Sequence, residues 1–316
     1  MAAAPRIAIV LPCYNEQEVL PGSVGRLLEL LDNFTADGLT AADSYILCSN
    51  DGSNDSTRDI IAELHAKDAR VKGITLAHNR GQQAALLAGL MTVRERCDAA
   101  ITIDADLQDN PEVMRDMIRL FRDGTDIVYG VRASRETDSR FKRTTAQGFY
   151  RFQHAMGLKT VYNHADYRLM SRRALDILSE YGEANIFLRG ILPDIGLRSA
   201  IVEYDRTERT AGESKYPLSK MLGLAIDGIT SFTAKPMRII FLVGMTLLLA
   251  DIIVAIWVLY VHLTHHTVSG WSSLMLSVWF LGSLILMAIG IVGEYVGKIF
   301  VEVKNRPRYN IEEEIF

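Results

Sequence analysis

Two carboxylates two residues apart close the apolar run in Ile101-Thr102-Ile103-Asp104-Ala105-Asp106-Leu107-Gln108-Asp109. Strand side chains repeat every two residues. A buried strand over Ile101 to Ile103 therefore predicts that Asp104 and Asp106 leave its end on one face. Two anions aimed at one point repel unless a cation lies between them. Hard oxygen ligands suit Mg²⁺ or Mn²⁺, which in turn bridges phosphate oxygens. The pattern points to a metal–diphosphate site at a strand end, where open α/β sheets bind their ligands. A solvated acidic turn is the plain alternative, and the rest of the chain weighs against it.

Two more polar turns follow apolar runs. In Leu11-Pro12-Cys13-Tyr14-Asn15-Glu16, Tyr14 suits stacking on a base, and Glu16 can accept from a ribose hydroxyl or a base. In Asn50-Asp51-Gly52-Ser53-Asn54-Asp55-Ser56, Gly52 and Asn54 suit a tight turn and Asp55 or Ser56 a helix cap. Asp51 is then left to accept the imide N–H of uracil. Each turn alone reads as structural. Three acidic turns ending three neighbouring strands read as a nucleotide pocket. Arg132, Arg135, Arg140, Lys142, Arg143 and Arg151 follow, opposed only by Glu136 and Asp138. Arg forks match phosphate oxygens in two-point contacts, so a lipid phosphate is the expected client, with a solvated helix face as the alternative.

These residues need a scaffold, and the chain supplies its rhythm. Strands are expected at Ile7–Leu11, Tyr45–Cys48, Val71–Leu76, Ala99–Ile103 and Asp126–Tyr129. Amphipathic helices alternate with them: one with Leu20, Val24, Leu27, Leu28 and Leu31 at helical spacing, one with Ile60, Ile61 and Leu64, one over Gln82–Arg96, and one from Asn110-Pro111 to near Gly124. Such βαβα alternation predicts a mostly parallel sheet covered by helices on both faces. Further on, helices are expected near 139–157 and 171–181, and a strand near 198–205. Cys13, Cys48 and Cys97 form no metal or redox spacing and read as buried reduced thiols. No G-x-G-x-x-G or G-x-x-x-x-G-K-[ST] is present, which argues against a dinucleotide fold and a P-loop kinase.

The apolar excess lies after Arg238. Mean hydropathy is +0.11 and the net charge is −4, so no global basic field argues for nucleic acid. Lys215 to Lys235 is an amphipathic stretch suited either to a membrane surface or to packing on the catalytic domain. Ile239 to about His262 and Trp271 to about Phe300 are each long enough to cross a bilayer, which takes roughly 20 apolar residues. The connecting loop lacks Lys and Arg, whereas the outer flanks carry Lys235, Arg238, Lys298, Lys304, Arg306 and Arg308. The positive-inside rule puts both termini in the cytoplasm. Asp251 and Glu294 fall within the spans and are expected to face a helix partner or another protomer. The expected organisation is a catalytic domain over 1–214, a juxtamembrane helix over 215–238, a hairpin of two spans over 239–300 and a cytoplasmic tail over 301–316.

Taken in order, P-x-Y-N-E, N-D-G-S-x-D, His78-Asn79-Arg80-Gly81-Gln82-Gln83-Ala84-Ala85-Leu86-Leu87-Ala88-Gly89 and D-A-D-L-Q-D-x-P-E resemble glycosyltransferase family 2, in its polyprenyl-phosphate branch. That branch holds bactoprenol glucosyltransferases and dolichol-phosphate mannosyltransferase. Asp126-Ile127-Val128-Tyr129-Gly130-Val131-Arg132, Phe141-Lys142-Arg143, Ala165-Asp166-Tyr167-Arg168-Leu169-Met170-Ser171, Ala211-Gly212-Glu213-Ser214-Lys215-Tyr216 and the paired spans extend the resemblance over essentially the whole chain. Asn50 stands where the family usually has the first Asp of D-D-G-S, so base recognition carries over to Asp51 only.

The resemblance implies the glycosyltransferase A fold and an inverting transfer. It implies that Asp106 holds the metal, Mg²⁺ or Mn²⁺, with Gln108 in support, and that Asp104 meets the ribose or the metal. Pro12, Tyr14, Glu16 and Asp51 would hold the nucleoside. Arg132, Lys142, Arg143 and Lys215 would meet the acceptor phosphate or the leaving diphosphate, with Arg168 on the acceptor side, and Asp166 is a candidate base. A phosphate monoester has a second pKa near 6 and is already a nucleophile at pH 7, so Asp166 is expected to position first and act as base second. The expected partners are a nucleotide sugar, a polyprenyl phosphate and the membrane, with UDP-glucose as the donor; GDP-mannose and UDP-linked amino sugars stand as alternatives. A homo-oligomer such as a tetramer is expected, since two spans anchor weakly and Asp251 needs a partner. A processive polysaccharide synthase would carry Q-x-x-R-W, but the first Trp is Trp257. A non-catalytic recruitment module would not need these acidic strand ends.

Overall fold

The computed structural model describes residues 3–132, 164–183, 188–205 and 270–316, with scattered helical positions between 237 and 256. The described residues divide into two compact units. One holds the sheet and residues 306–316. The other holds helical residues between 237 and 305.

The first unit is an α/β fold on one eight-stranded sheet, ordered β7-β5-β6-β4-β1-β2-β3-β8. The strands are β1 (Ile7–Cys13), β2 (Tyr45–Asn50), β3 (Val71–Leu76), β4 (Ala99–Thr102), β5 (Ile127–Arg132), β6 (His164–Ser171), β7 (Ser199–Tyr204) and β8 (Ile311–Ile315). β4, β1, β2 and β3 run parallel, as do β5 and β7. β6 runs antiparallel between β4 and β5, and β8 antiparallel to β3. The central strands β1, β2 and β4 are almost wholly buried, which is why they read as continuous apolar runs rather than alternating ones.

Helices α1 (Leu20–Ala36), α2 (Thr57–Lys67), α3 (Gln82–Val93), α4 (Met114–Arg122), α5 (Arg172–Glu180) and α6 (Leu188–Asp194) connect and cover the sheet. α1 opens with Pro21 in its first turn and buries Leu20, Val24, Leu27 and Leu31 of the expected stripe, with Leu30 and Phe34 beside them and Leu28 only half-buried. α3 is buried almost all round, through Ala84–Leu90 and Val93, so it is a core helix rather than an amphipathic one. Cys13, Cys48 and Cys97 are buried free thiols, as expected.

Two strands depart from the sequence reading. β6 falls in a region expected to be mixed and polar, because His164, Asp166 and Arg168 interrupt its apolar pattern. β8 lies where a tail was expected. Its Glu312, Glu313 and Glu314 hide the strand signal, but Arg58 and Arg96 pair with Glu313 and Glu314. The Phe316 ring then lies under the Arg96 guanidinium at 4.0 Å. Charge on an edge strand costs little, because one side faces water.

In the second unit, α7 (Trp271–Val303) contains an apolar stretch, Phe280–Val303, long enough to cross a membrane by length and composition. Leu284, Ala288, Ile291, Tyr295 and Lys298 form its less exposed stripe, at alternating spacings of four and three that suit helix packing. Glu294 meets Lys298 one turn on, at 3.9 Å. Between 239 and 262 the described positions are helical and include exposed Leu242, Met245, Leu249, Ile253 and Ile256. Asp251 and the 215–235 stretch lie outside the described residues.

Candidate active site

The site gathers at the carboxyl ends of β1, β2 and β4. β4 stops at Thr102, and residues 104–107 form a turn closed by the Leu107 amide donating to the Asp104 carbonyl at 3.1 Å. Strand alternation therefore does not set the pair, contrary to the expectation. The turn does, with Leu107 in the left-handed region at φ 46°, a costly conformation for a branched residue that surrounding contacts must hold. Ser23 of α1 supplies one such contact, its hydroxyl donating to the Ala105 carbonyl at 2.6 Å.

Around this turn negative charge accumulates. Burial raises the Asp104 carboxyl to about 6, and the negative charges of Asp166, Asp106 and Asp109 add to the rise. Glu16 is raised by burial and then by Asp106 and Asp104. The Asp106 charge thus acts on both Asp104 and Glu16, and Asp104 and Asp106 are hard oxygen donors of the kind a divalent ion takes. Among the described residues no group of three or more His, Cys, Asp or Glu that could hold a metal ion is present, so a cation at Asp104 and Asp106 would take its other oxygens from a bound diphosphate and water, as Mg²⁺ sites commonly arrange. Gln108 meets Asp106 through its backbone amide at 3.2 Å.

The nucleoside candidates lie on two turns. Tyr14 is 43 % exposed, so its ring is available for stacking. Pro12 pairs in register with Ser49. Glu16 lies in the turn before α1: its amide donates to Thr57 Oγ1 and its carbonyl accepts from the Val19 and Leu20 amides. An open cleft of about 550 Å³ beside it is lined by Asn15, Gln17, Asn54 and Asp55 among others. Asp51 is buried, and its two oxygens accept from the Arg80 and Gly81 amides at 2.7 and 2.8 Å. It thus anchors the loop leading to α3. Gly52 lies so close to that loop that a Cβ would come 2.7 Å from the His78 carbonyl carbon. Asn50, the residue that departs from the family pattern, accepts from the Ser53 amide and hydroxyl.

On the other side, Asp166 of β6 is 5 % exposed and already surrounded by donors. Arg168 donates to Oδ1. Arg189 of α6 spans both oxygens at 3.2 and 3.1 Å. Gln83 of α3 reaches Oδ2 at 3.2 Å. Two guanidinium groups thus hold this carboxylate through charge-assisted hydrogen bonds. Arg168, expected at the acceptor phosphate, is fully buried under Asp166. Its charge stays inside because Asp166 is beside it, in line with the rule that buried charges are paired. Arg189 escaped the sequence reading because a lone Arg in an apolar stretch carries no spacing signal.

Arg132 ends β5 and forks onto the buried Asp109 carboxylate. Burial lowers the Arg132 pKa, but the hydrogen bond and charge of Asp109 outweigh it and the net direction is up. Lys142, Arg143 and Lys215 lie outside the described residues. Within them, the structure brings Glu16, Asp104, Asp106, Asp109, Arg132 and Asp166 into one electrostatic neighbourhood.

Residues 8–178 match the family model for glycosyl transferase family 2. The chain is 50 % identical over 312 residues to YkoT of Bacillus subtilis (strain 168), named a glycosyltransferase, covering 99 % of this chain and 93 % of that one. It is 37 % identical over 310 residues to the SfII prophage-derived bactoprenol glucosyl transferase of Shigella flexneri, covering 98 % of each. A mannosyltransferase structure from Pyrobaculum calidifontis, in complex with GDP-Man and Mn²⁺, aligns with a TM-score of 0.46 at 13 % identity, covering 96 % of this chain and 88 % of that one. With a glycosyltransferase A-like α/β sheet carrying its acidic turns at the strand ends, this chain belongs to glycosyltransferase family 2.

Proposed function

We propose that this enzyme is a membrane-anchored inverting glucosyltransferase that moves glucose from UDP-glucose to a polyprenyl phosphate on the cytoplasmic face of the inner membrane. The observation that carries the reading is the near full-length similarity to relatives named bactoprenol glucosyl transferase, on a chain whose acidic turns and basic run suit those two substrates. Pro12, Tyr14, Glu16 and Asp51 form the nucleoside side. Asp104 and Asp106, with Gln108, would hold Mg²⁺ or Mn²⁺, which would supply positive charge to the diphosphate. Arg132, Lys142, Arg143 and Lys215 serve the acceptor phosphate and the departing diphosphate.

The acceptor dianion needs little deprotonation, so the protein's task is charge and alignment. Arg132 is held rigidly by Asp109 and can meet phosphate without first being ordered, which lowers the cost of reaching the attack geometry. Asp166 keeps Arg168 and Arg189 in place around the reacting centre rather than taking a proton. The inverting outcome follows from in-line attack of one phosphate oxygen on the anomeric carbon, with the diphosphate leaving from the opposite side.

The parity of membrane crossings supports a hairpin. β8 follows the second span and pairs with β3 of the sheet that precedes the first. Both ends of the helical segment must then lie on one side of the membrane, which requires an even number of crossings. Domain limits near 214, 238 and 300 fit this reading, with the last residues returned to the catalytic sheet. A homo-oligomer remains part of the proposal.

The test is transfer of labelled sugar into extractable lipid. Purified enzyme in detergent is given UDP-glucose, GDP-mannose or UDP-linked amino sugars, each with and without undecaprenyl phosphate. Label in lipid from UDP-glucose, and only with the acceptor, is the expected outcome. Another donor would reassign the sugar, and no lipid product with any donor would end the proposal.

A further inference from the structure

Two consecutive glutamines open α3, and each reaches a different carboxylate. Gln82 Nε2 donates to Asp104 Oδ1 at 2.8 Å. Gln83 Nε2 donates to Asp166 Oδ2 at 3.2 Å, and its Oε1 accepts from the Leu188 amide at 3.4 Å. We propose that Gln82 and Gln83 are positioning residues, Gln82 aiming Asp104 toward the cation and Gln83 aiming Asp166 toward the reacting centre.

Three features carry this. Neighbouring helix positions point about 100° apart, so one turn of α3 can serve two targets that its own neighbours do not share. An amide orients a carboxylate through a hydrogen bond without cancelling its charge. That suits Asp104, whose negative charge is what a cation requires. The turn of α3 is itself placed by Asp51, which accepts from the Arg80 and Gly81 amides immediately before the two glutamines. Gly81, at φ 89°, takes a conformation that glycine adopts without strain. A continuous set of contacts thus runs from the proposed nucleoside side, through the start of α3, to both carboxylates.

The inference rests on the proposed roles of Asp104 and Asp166, so Asp104→Asn and Asp166→Asn are measured beside the glutamine variants, in full-length enzyme in detergent. Gln→Met keeps the length and removes the donor. Gln82→Met is expected to weaken Mn²⁺ binding, read by electron paramagnetic resonance with UDP present and no acceptor, by about 2- to 10-fold, less than the full worth of a hydrogen bond to a carboxylate because the carboxylate itself is retained. Its kcat at saturating Mn²⁺ should stay within twofold of wild type. Gln83→Met is expected to lower kcat by about 2- to 10-fold while Mn²⁺ binding and the nucleotide-sugar KM stay within twofold. Thermal midpoints should match wild type for both.

Wild-type behaviour of both glutamine variants, with Asp104→Asn and Asp166→Asn inactive, would overturn the positioning roles and leave the site reading standing. Loss of both readouts in either variant with a lowered thermal midpoint would make the glutamines structural and also overturn them. Full activity of Asp104→Asn and Asp166→Asn would instead remove the site reading itself.

Discussion

Asp109 and Arg132 meet as a two-point fork, Nε to Oδ1 and Nη2 to Oδ2, each at 3.1 Å. The carboxylate is 3 % exposed and the guanidinium 32 %, so the buried partner fixes the accessible one. Asp109 closes the D-A-D-L-Q-D turn, and Arg132 ends the strand that leads into the basic run. The fork therefore makes the acidic turn and the first basic residue one rigid unit, and it sets Asp109 apart from the roles proposed for Asp104 and Asp106.

Asp109→Asn keeps the size and removes the charged fork. Hydrogen bonds to charged groups contribute about 1.5–3 kcal/mol, or roughly 10- to 150-fold. The expected loss in kcat/KM for the lipid acceptor lies in that range. Arg132→Lys should lose about as much, because an ammonium cannot span both oxygens. Steady-state kinetics check both, with thermal melts to separate folding from transfer. Wild-type kcat/KM in either variant would mean that the fork is only structural.

Metal dependence should carry the signature of Asp104. EDTA and Asp106→Asn should each abolish transfer, with Mn²⁺ or Mg²⁺ restoring the EDTA-treated wild type. The Asp104 carboxyl is raised to about 6 by burial and by the nearby anions, so below that pH a proton competes with the cation. The Mn²⁺ concentration for half-maximal rate should rise about tenfold per pH unit below about 6 and level off above 7. The sign for stability is the reverse. A folded-state pKa above the ordinary 3.8 favours the folded state when protonated, so this contribution in metal-free protein is lost as pH rises through about 6. A Mn²⁺ requirement that does not change between pH 5 and 8 would exclude Asp104 as the titrating ligand.

The parallel half of the sheet was legible because β1, β2 and β4 are buried on both faces and read as unbroken apolar runs. The acidic turns were legible because their residue types cluster where those runs end. β6 and β8 were not, since a strand carrying Asp166 and Arg168, or three successive glutamates, breaks the two-residue alternation. Their polar residues are satisfied by partners distant in sequence: Arg189 and Gln83 for Asp166, Arg58 and Arg96 for the glutamates. Asp51 follows β2, but its contacts there were not legible. A sequence shows that an acid follows a strand, but not that two amides some 30 residues on will occupy both its oxygens.

The basic run should serve the acceptor. Lys142 and Arg143 follow the acidic turn and Arg132 in the chain and precede the apolar segment, an order that suits a phosphate approaching from the bilayer. Lys142→Ala or Arg143→Ala should raise the KM for polyprenyl phosphate by about 10- to 150-fold, the range for a lost charge-assisted hydrogen bond. The Kd of the nucleotide sugar should move much less. If Arg143→Ala weakens nucleotide-sugar binding and leaves the lipid KM unchanged, the cluster belongs to the donor.

Both termini should be cytoplasmic, with residues 263–270 outside. Two independent arguments meet here. The loop between the apolar segments lacks Lys and Arg whereas both outer flanks carry them, and the positive-inside rule assigns the flanks to the cytoplasm. Separately, β8 pairs with β3 from Gly73↔Ile315 to Leu76↔Ile311. An odd number of crossings would leave this strand on the wrong side of the bilayer, unable to reach its sheet. Single cysteines at Ser269 and Asn310 test the arrangement in intact cells with an impermeant thiol reagent. The native Cys13, Cys48 and Cys97 are buried, so background labelling should be low. Ser269→Cys should label in intact cells and Asn310→Cys only after permeabilisation. Labelling of both in intact cells would mean a single crossing and a β8 that does not pair, and Asn310→Cys alone would invert the hairpin.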